Sequence, residues 1–336
     1  MKYYKAIAFC SNPVEGFFRF RNMFQIYPLK SENAPHNKLV KTYPFVLEYC
    51  IVNDEQIQLE GDLAAIGPIV SKLTQSANIQ NQILNYLSAI SNYRFFFPKA
   101  SVQWFVSIDP KLSEGEMNSQ TSKIGLNAYW YPNMQTDAII TKFTEVNFTE
   151  IEPKKHPEYF FHIDIDGSEF VAFSQYIKEA FHYYLLLDKD QRKAVDAAVM
   201  LINQGIELRE TMKSLSFLSF VSSIETMVAF ENKDVKVKIC GTCNQQIYKI
   251  MAKFRDYLLK YVTDNTDTKK EIDKIYALRS KIVHEGMLFL GDGKIDWSDN
   301  IEKNSQWYTH LQVMQISRIS LMNWILMRGN ENKSKK

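Results

Sequence analysis

The hydrophobic period of this chain changes once, close to residue 168, and that change restricts the folds open to it more than any single motif does. Over residues 1–160, aromatic and β-branched residues come in short runs broken by Pro and Gly, the pattern of strands and turns. Strands are predicted at 3–9, 16–21, 43–53, 101–109, 123–131 and 139–148. Two helices are predicted among them, at 61–76 and 78–96, the second ending before Pro98, and the polar stretch 111–122 reads as a loop. A last strand is predicted over 159–166, followed by the turn Asp166-Gly167-Ser168 with Ser168 as a helix N-cap. Beyond it the apolar residues recur at helical spacing. That places helices at 169–187, 188–209, 213–230, 244–262, 268–284 and 305–328, with Asp188, Asp267 and Ser305 at cap positions. The fold class is therefore α+β. A β-rich N-terminal domain is expected over 1–165, an all-α helical domain over 166–330, and a disordered basic tail over 331–336. The helical half alone is long enough to bury a core.

Composition narrows the function classes. Apolar types make up 46 % of the chain and charged types 23 %, which is ordinary for globular protein and excludes collagen-like or low-complexity chains. The net charge of +2 is unevenly spread: residues 231–336 hold 19 Lys and Arg against 13 Asp and Glu. An anionic partner at the C-terminal end fits that excess, whereas the rest of the chain is mildly acidic. Four cysteines in 336 residues make no disulfide framework. The short apolar run 6–10 meets Pro13 and Glu15 too soon for a secretory segment, and no apolar run reaches membrane-spanning length. A reduced, cytoplasmic protein without a membrane anchor is expected. Nucleotide-binding glycine loops and nucleophile elbows are missing from the sequence.

The helix predicted over 268–284 carries an anomaly. With Ile272 at the origin and about 100° per residue, Ile275, Tyr276, Leu278, Ile282 and Val283 form one apolar arc, and Arg279 falls in its middle. A guanidinium aimed into a core is costly unless solvated or paired. Either the arc faces a wet cleft or an acid meets Arg279 inside. Glu225, at the edge of the apolar arc of the 213–230 helix, is the candidate acid. His284 lies about 140° from Arg279 around the helix, in the last turn before Gly286, where the helix dipole favours a charged imidazole. On spacing alone these residues describe a helix-to-helix clamp and an exposed histidine.

The run Ile275-Tyr276-Ala277-Leu278-Arg279-Ser280-Lys281-Ile282-Val283-His284-Glu285-Gly286 resembles the R-x4-6-H signature of HEPN domains, the Apea-like branch in particular. Phe220-Val221-Ser222-Ser223-Ile224-Glu225-Thr226-Met227 is similar to the acidic helix of that branch, and the resemblance spans about 188–328. It implies a helical bundle that forms a homodimer, so that two such motifs face each other. In active members the paired motifs make a metal-independent endoribonuclease, used in antiphage defence or as a toxin. Carried onto this chain, the resemblance makes His284 the acid/base and Arg279 the contact to phosphate, with Glu225, Ser280 and Tyr276 supporting them. Active members often carry Asn, Asp or His after the arginine, where this chain has Ser280. RNA is then the substrate, and a protein or phage-derived trigger an expected partner. Other HEPN domains only bind a nucleotide, RNA or a partner protein, which is the alternative.

No cofactor is required for that chemistry. One metal candidate exists: Cys240-Gly241-Thr242-Cys243 has zinc-knuckle spacing, but a structural zinc needs four ligands and no second such pair occurs. The cysteines are either half of a zinc site or two ordinary thiols in a basic loop. Arg19, Arg21 and Arg94 lie among aromatics, as a single-strand stacking surface or as arginines lying over a β-domain core.

Overall fold

The structure, a computed structural model, describes residues 1–29, 42–52, 67–97, 113, 138–162, 168–235, 238–239, 246–247, 250–263, 266–289, 292 and 301–334. It is mixed α and β, with an antiparallel sheet and a larger set of helices. The chain divides into two compact units. The predicted strands at 101–109 and 123–131, the loop at 111–122 apart from Ser113, and Asp166-Gly167 lie outside the described residues.

The first unit comprises Met1–Leu87, Tyr93–Pro153 and Asp164–Phe173. Its sheet is built on β1 (Lys2–Cys10) and β4 (Tyr43–Ile51), antiparallel with Lys2 opposite Ile51 and Cys10 opposite Tyr43. β3 (Phe24–Pro28) pairs with β4 and β2 (Phe18–Phe20) with β3. The other edge of β1 is shared: β5 (Phe95–Phe96) takes its Phe9 end and β6 (Ala138–Ile140) its Tyr3 end. β1 alternates buried and partly exposed residues, as a half-covered strand does, while β4 is buried almost throughout. Inside β4 sits Glu48, fully buried yet supplied with neutral donors. Gln25 Nε2 reaches it at 2.8 Å, the Tyr27 hydroxyl at 2.7 Å, and Thr144 gives its backbone N–H at 2.8 Å. Four donors in all surround it, the last being the Thr144 hydroxyl. Cys10 and Cys50 are buried and carry no disulfide, and burial pushes the Cys10 thiol up to about 12.

Several expectations fail in this half for physical reasons. The two helices predicted at 61–76 and 78–96 are one, α1 (Gly67–Ala89). Ser76, which looks like a break, instead shares a hydrogen bond with the buried Tyr49 hydroxyl, and Gln80 bonds to Tyr49 as well. The 139–148 strand shrinks to β6, and β3 is an additional strand. The helix predicted from Ser168 does not begin there. Val171 donates its N–H to Pro13 at 2.9 Å, and Phe173 packs against Phe18 and Phe95 with centroids 5.0 and 6.1 Å apart. Burying that aromatic outweighs the local helix signal. Residues 173–174 form β8 (Phe173–Ser174), after β7 (Pro153–Lys154).

The second unit comprises Ser88–Asn92, Lys154–Ile163 and Ser174–Lys336. Of the strand expected at 159–166, residues 163–166 lie outside the described residues, and 159–161 belong instead to a helical turn, α2 (Glu158–Phe161), which buries the consecutive residues Tyr159 and Phe160. Asn92 holds that turn, donating its backbone N–H to the Tyr159 hydroxyl at 2.9 Å and its side-chain amide to Tyr159 O at 2.6 Å. Then follow α3 (Ile177–Leu186), α4 (Lys189–Leu208), α5 (Lys213–Glu231), α6 (Ile250–Tyr261), α7 (Thr266–Glu285) and α8 (Ile301–Ser334). α4 starts at a capping box: Asp188 accepts from the Gln191 N–H at 2.8 Å, and the Gln191 side chain accepts from the Asp188 N–H. α5 has no local side-chain cap; Asp292 supplies one from far along the chain, accepting from Lys213 and Ser214 N–H at 2.7 and 2.5 Å.

α4 and α5 pack closely because Gly205 lies under the Phe220 ring, where a Cβ would sit 2.7 Å from Cε1. The Ser216 hydroxyl donates to Gly205 O at 2.6 Å and receives from His310 Nε2 at 2.8 Å. α6 begins later than expected because Gln246–Ile247 (β10) pairs with Lys238–Ile239 (β9). α7 and α8 begin ahead of the caps expected at Asp267 and Ser305, which lie inside them. α8 also continues through residues 331–334, expected as tail, and keeps Gly329 in its interior because the Tyr183 ring of α3 lies against that backbone.

Candidate functional site

α5 and α7 pack together and bring the two singular charges of the sequence into contact. Glu225 leaves the apolar side of α5, flanked by the buried Ile224 and Met227, and Arg279 leaves the arc of α7 between the buried Ile275 and Ile282. Arg279 Nε lies 3.3 Å from Glu225 Oε1, off the line of a hydrogen bond, and Nη2 donates to Oε2 at 3.4 Å. Both side chains keep about a quarter of their surface exposed, 25 % for Arg279 and 23 % for Glu225. The two solutions left open by the helical arc thus occur together: an acid meets the guanidinium, and water still reaches it.

Tyr276 completes the cluster. The Arg279 guanidinium stands 5.8 Å from its ring centroid, within cation–π range, and Phe254 of α6 packs against the ring from 5.1 Å. Burial raises the Tyr276 hydroxyl above its ordinary value, and the Glu225 charge raises it further against the opposing pull of Arg279. Ser280 follows at half-burial. His284 lies in the last turn of α7, exposed to solvent. Gly286 ends the helix with a left-handed φ of 68°, as a C-terminal stop requires, and the Met287 N–H closes back to Lys281 O at 3.3 Å. Arg279 and His284 are therefore on one rigid helix, about 7.5 Å apart along its axis. They point to different sides of it, so one chain alone does not converge them on a single atom. Beside His284, Val283 is 47 % exposed despite its place in the apolar arc, and Leu288 is 57 % exposed.

Chemically, the cluster offers an arginine fork with free donor capacity, a carboxylate that holds it in place, and a separate solvent-facing imidazole. Cys240 and Cys243 lie outside the described residues, between β9 and β10. Among the described residues no group of three or more His, Cys, Asp or Glu is placed to hold a metal ion. Among them, too, no helix is long and apolar enough to cross a membrane.

The arginines of the first unit lie over aromatic rings: Arg19 over Phe143 at 5.0 Å, Arg21 over Phe20 at 5.4 Å and Arg94 over Phe96 at 4.5 Å. Phe20 and Phe143 are buried, so these rings are core covered by guanidinium rather than open faces for stacking bases.

Sequence reasoning missed two polar centres in the second unit. Glu231, at the end of α5, accepts from the Tyr261 hydroxyl at 2.5 Å, Arg328 Nη2 at 2.8 Å and Trp324 Nε1 at 3.2 Å, with Lys260 Nζ at 3.4 Å. Burial opposes its charge, but these donors and cations hold its carboxyl below the ordinary range. The other is Arg318, only 2 % exposed in the middle of α8. A cation inside an apolar helix arc was the signal that singled out Arg279; applied to the apolar run 313–325, it finds Arg318 as well. A scan of protein-family models, a search of curated proteins and a search of solved structures find no match to this chain.

Proposed function

We propose that the protein is a cytoplasmic HEPN-type, metal-independent endoribonuclease, acting as a homodimer in which Arg279 and His284 of both chains form the site. The observation that carries this reading is the state of Arg279: held on α7 by Glu225, yet with a quarter of its side chain in water. A guanidinium fixed in direction and still accessible suits the equatorial oxygens of a phosphorane. RNA brings its own nucleophile in the 2′-hydroxyl. An exposed imidazole takes that proton, and a second one, from the other chain, protonates the leaving 5′-oxygen. The divergence of Arg279 and His284 around α7 supports a two-chain site, because facing copies supply what one copy lacks. The exposed Val283 and Leu288 give that pairing an apolar surface next to the imidazole. Catalysis of this kind needs no cofactor, and zinc at Cys240 and Cys243 would serve structure alone. The first unit would then receive a protein or phage-derived trigger, as in a defence or toxin system.

The Glu225 contact also favours a second reading, a non-catalytic HEPN module that binds a nucleotide, RNA or a protein partner. A carboxylate already in contact with Arg279 competes with phosphate for the guanidinium, and Ser280 is a weaker polar neighbour than Asn, Asp or His. Expression separates the two. Production of the wild-type chain arrests growth if it cuts RNA, and His284→Ala at equal protein level does not; equal growth of both cultures favours the binding module.

A further inference from the structure

α7 carries a line of exposed cations that ends at His284. Lys270, Lys274, Ala277, Lys281 and His284 are all exposed. At about 100° per residue they lie within about 40° to either side of one line along the helix. The lane runs about 21 Å from Lys270 to His284 at about 1.5 Å per residue. Glu271 flanks it but is held by Lys274 at 2.7 Å, and Asp273 is held by Arg255 at 2.9 Å. Lys270 and Lys281 meet no carboxylate among the described residues. Val283 lies about 140° around α7 from Lys270, so an apolar contact made through it falls on another side of the helix.

At its Lys270 end the lane reaches a cavity of about 550 Å³, between α2, the α6–α7 connection, the start of α7 and α8. That is within the range of small-molecule sites, about 300–1,000 Å³. Lys270 belongs to both lane and cavity wall. The buried Phe160, Leu311 and Ile319 make that wall apolar. Phe161 and Tyr308 line it too, yet are 63 % and 59 % exposed, so aromatic surface stays open to solvent there. Cations in a row leading to open aromatic rings are how proteins hold single-stranded nucleic acid: the backbone follows the charges and a base stacks on the rings. A duplex keeps its bases stacked and paired, and has none to offer such a hollow.

We propose, resting on the ribonuclease reading above, that single-stranded RNA lies along α7, with phosphates on Lys270, Lys274 and Lys281 and one base stacked at Phe161 and Tyr308. The scissile phosphate then sits at the His284 end, a few nucleotides from the base held in the cavity. The test uses the full chain and a fluorescein-labelled, single-stranded 2′-O-methyl RNA 12-mer, which binds but cannot be cut. Anisotropy titrations at several salt concentrations give affinity and salt slope. Lys270→Gln/Lys281→Gln should weaken binding at least tenfold and lower the slope by about 1.4, two single-strand phosphate contacts at about 0.7 each. Phe161→Ala/Tyr308→Ala should weaken it at least fivefold at unchanged slope. Lys269→Gln, an exposed lysine about 100° off the lane, should change neither. Circular dichroism checks that every variant folds. No saturable binding of the 12-mer, equal binding of its duplex, or wild-type affinity in the lane variant overturns the proposal. Wild-type affinity in Phe161→Ala/Tyr308→Ala overturns the base pocket. Failure of the ribonuclease reading looks different: the 12-mer binds through the lane, but unmodified RNA is not cut.

Discussion

Glu225 and Arg279 face each other across the α5–α7 contact with Nε–Oε1 and Nη2–Oε2 separations of 3.3 and 3.4 Å, an offset pair rather than a tight fork. With about a quarter of each side chain in water, the pair is screened and its coupling is small. A double-mutant cycle of Arg279→Ala and Glu225→Ala, read by urea unfolding, gives a coupling of about 0.5–1 kcal/mol. A coupling above about 3 kcal/mol would mark the pair as a fully desolvated structural clamp and leave Arg279 little freedom for phosphate.

Glu231 ties α5, α6 and α8 together through Tyr261, Arg328, Trp324 and Lys260. Glu231→Gln keeps the shape but removes the charge that two cations face, leaving Arg328 with Glu331 as its acidic partner. The expected loss is about 2–3 kcal/mol, seen as a lower urea midpoint at unchanged slope.

Acid acts on stability in two stages. Burial lowers the His310 imidazole from its ordinary 6.5 to about 4, so the unfolded chain takes up the proton first. Stability falls as pH drops from 6.5 toward 4, by about 3 kcal/mol for this group. His156, also lowered by burial, acts in the same direction. Glu231 is depressed in the folded state, so its contribution is present above pH 4.5 and lost as pH falls through its folded value. His310→Gln should therefore flatten the loss between pH 6.5 and 4 and leave the drop below 4.5 in place. Unchanged slopes in both intervals would show that His310 does not govern the first stage.

Gly329 offers a test of the α3–α8 packing. A Cβ there would lie 2.0 Å from Tyr183 Cγ, so Gly329→Ala costs about 1–3 kcal/mol despite the usual helical gain from alanine. In a Tyr183→Leu background that cost should shrink, as thermal melts of the four chains will show.

Asp292 caps α5 from another part of the chain. Asp292→Ala should lower stability by about 1 kcal/mol, and Asp292→Asn by less, because the amide oxygen still accepts while the favourable charge at the helix start is gone.

The helices α4 and α7 were legible to within a few residues because each combines a long apolar stripe with a local stop or cap, at Asp188 and Gly286, and α5 through its apolar residues alone. The strands β1 and β4 were equally visible in their β-branched and aromatic runs. What stayed hidden depends on distant partners. Ser76 is spent on Tyr49 rather than on breaking a helix, Phe173 is drawn out of a helical register by Phe18 and Phe95, and α5 is capped by a residue far along the chain. At the candidate site, the contact of Arg279 with Glu225 followed from two helical arcs that each placed a charge among apolar neighbours. The cavity was not legible, since it needs four separated segments to be brought together.

The central claim is that His284 moves protons for RNA cleavage without a metal. Labelled RNA is incubated in EDTA with wild type and with His284→Ala, after both are shown to have the same oligomeric state. The account predicts cleavage by wild type only, with 2′,3′-cyclic phosphate ends. Equal cleavage by both proteins, or cleavage that EDTA abolishes, would contradict it.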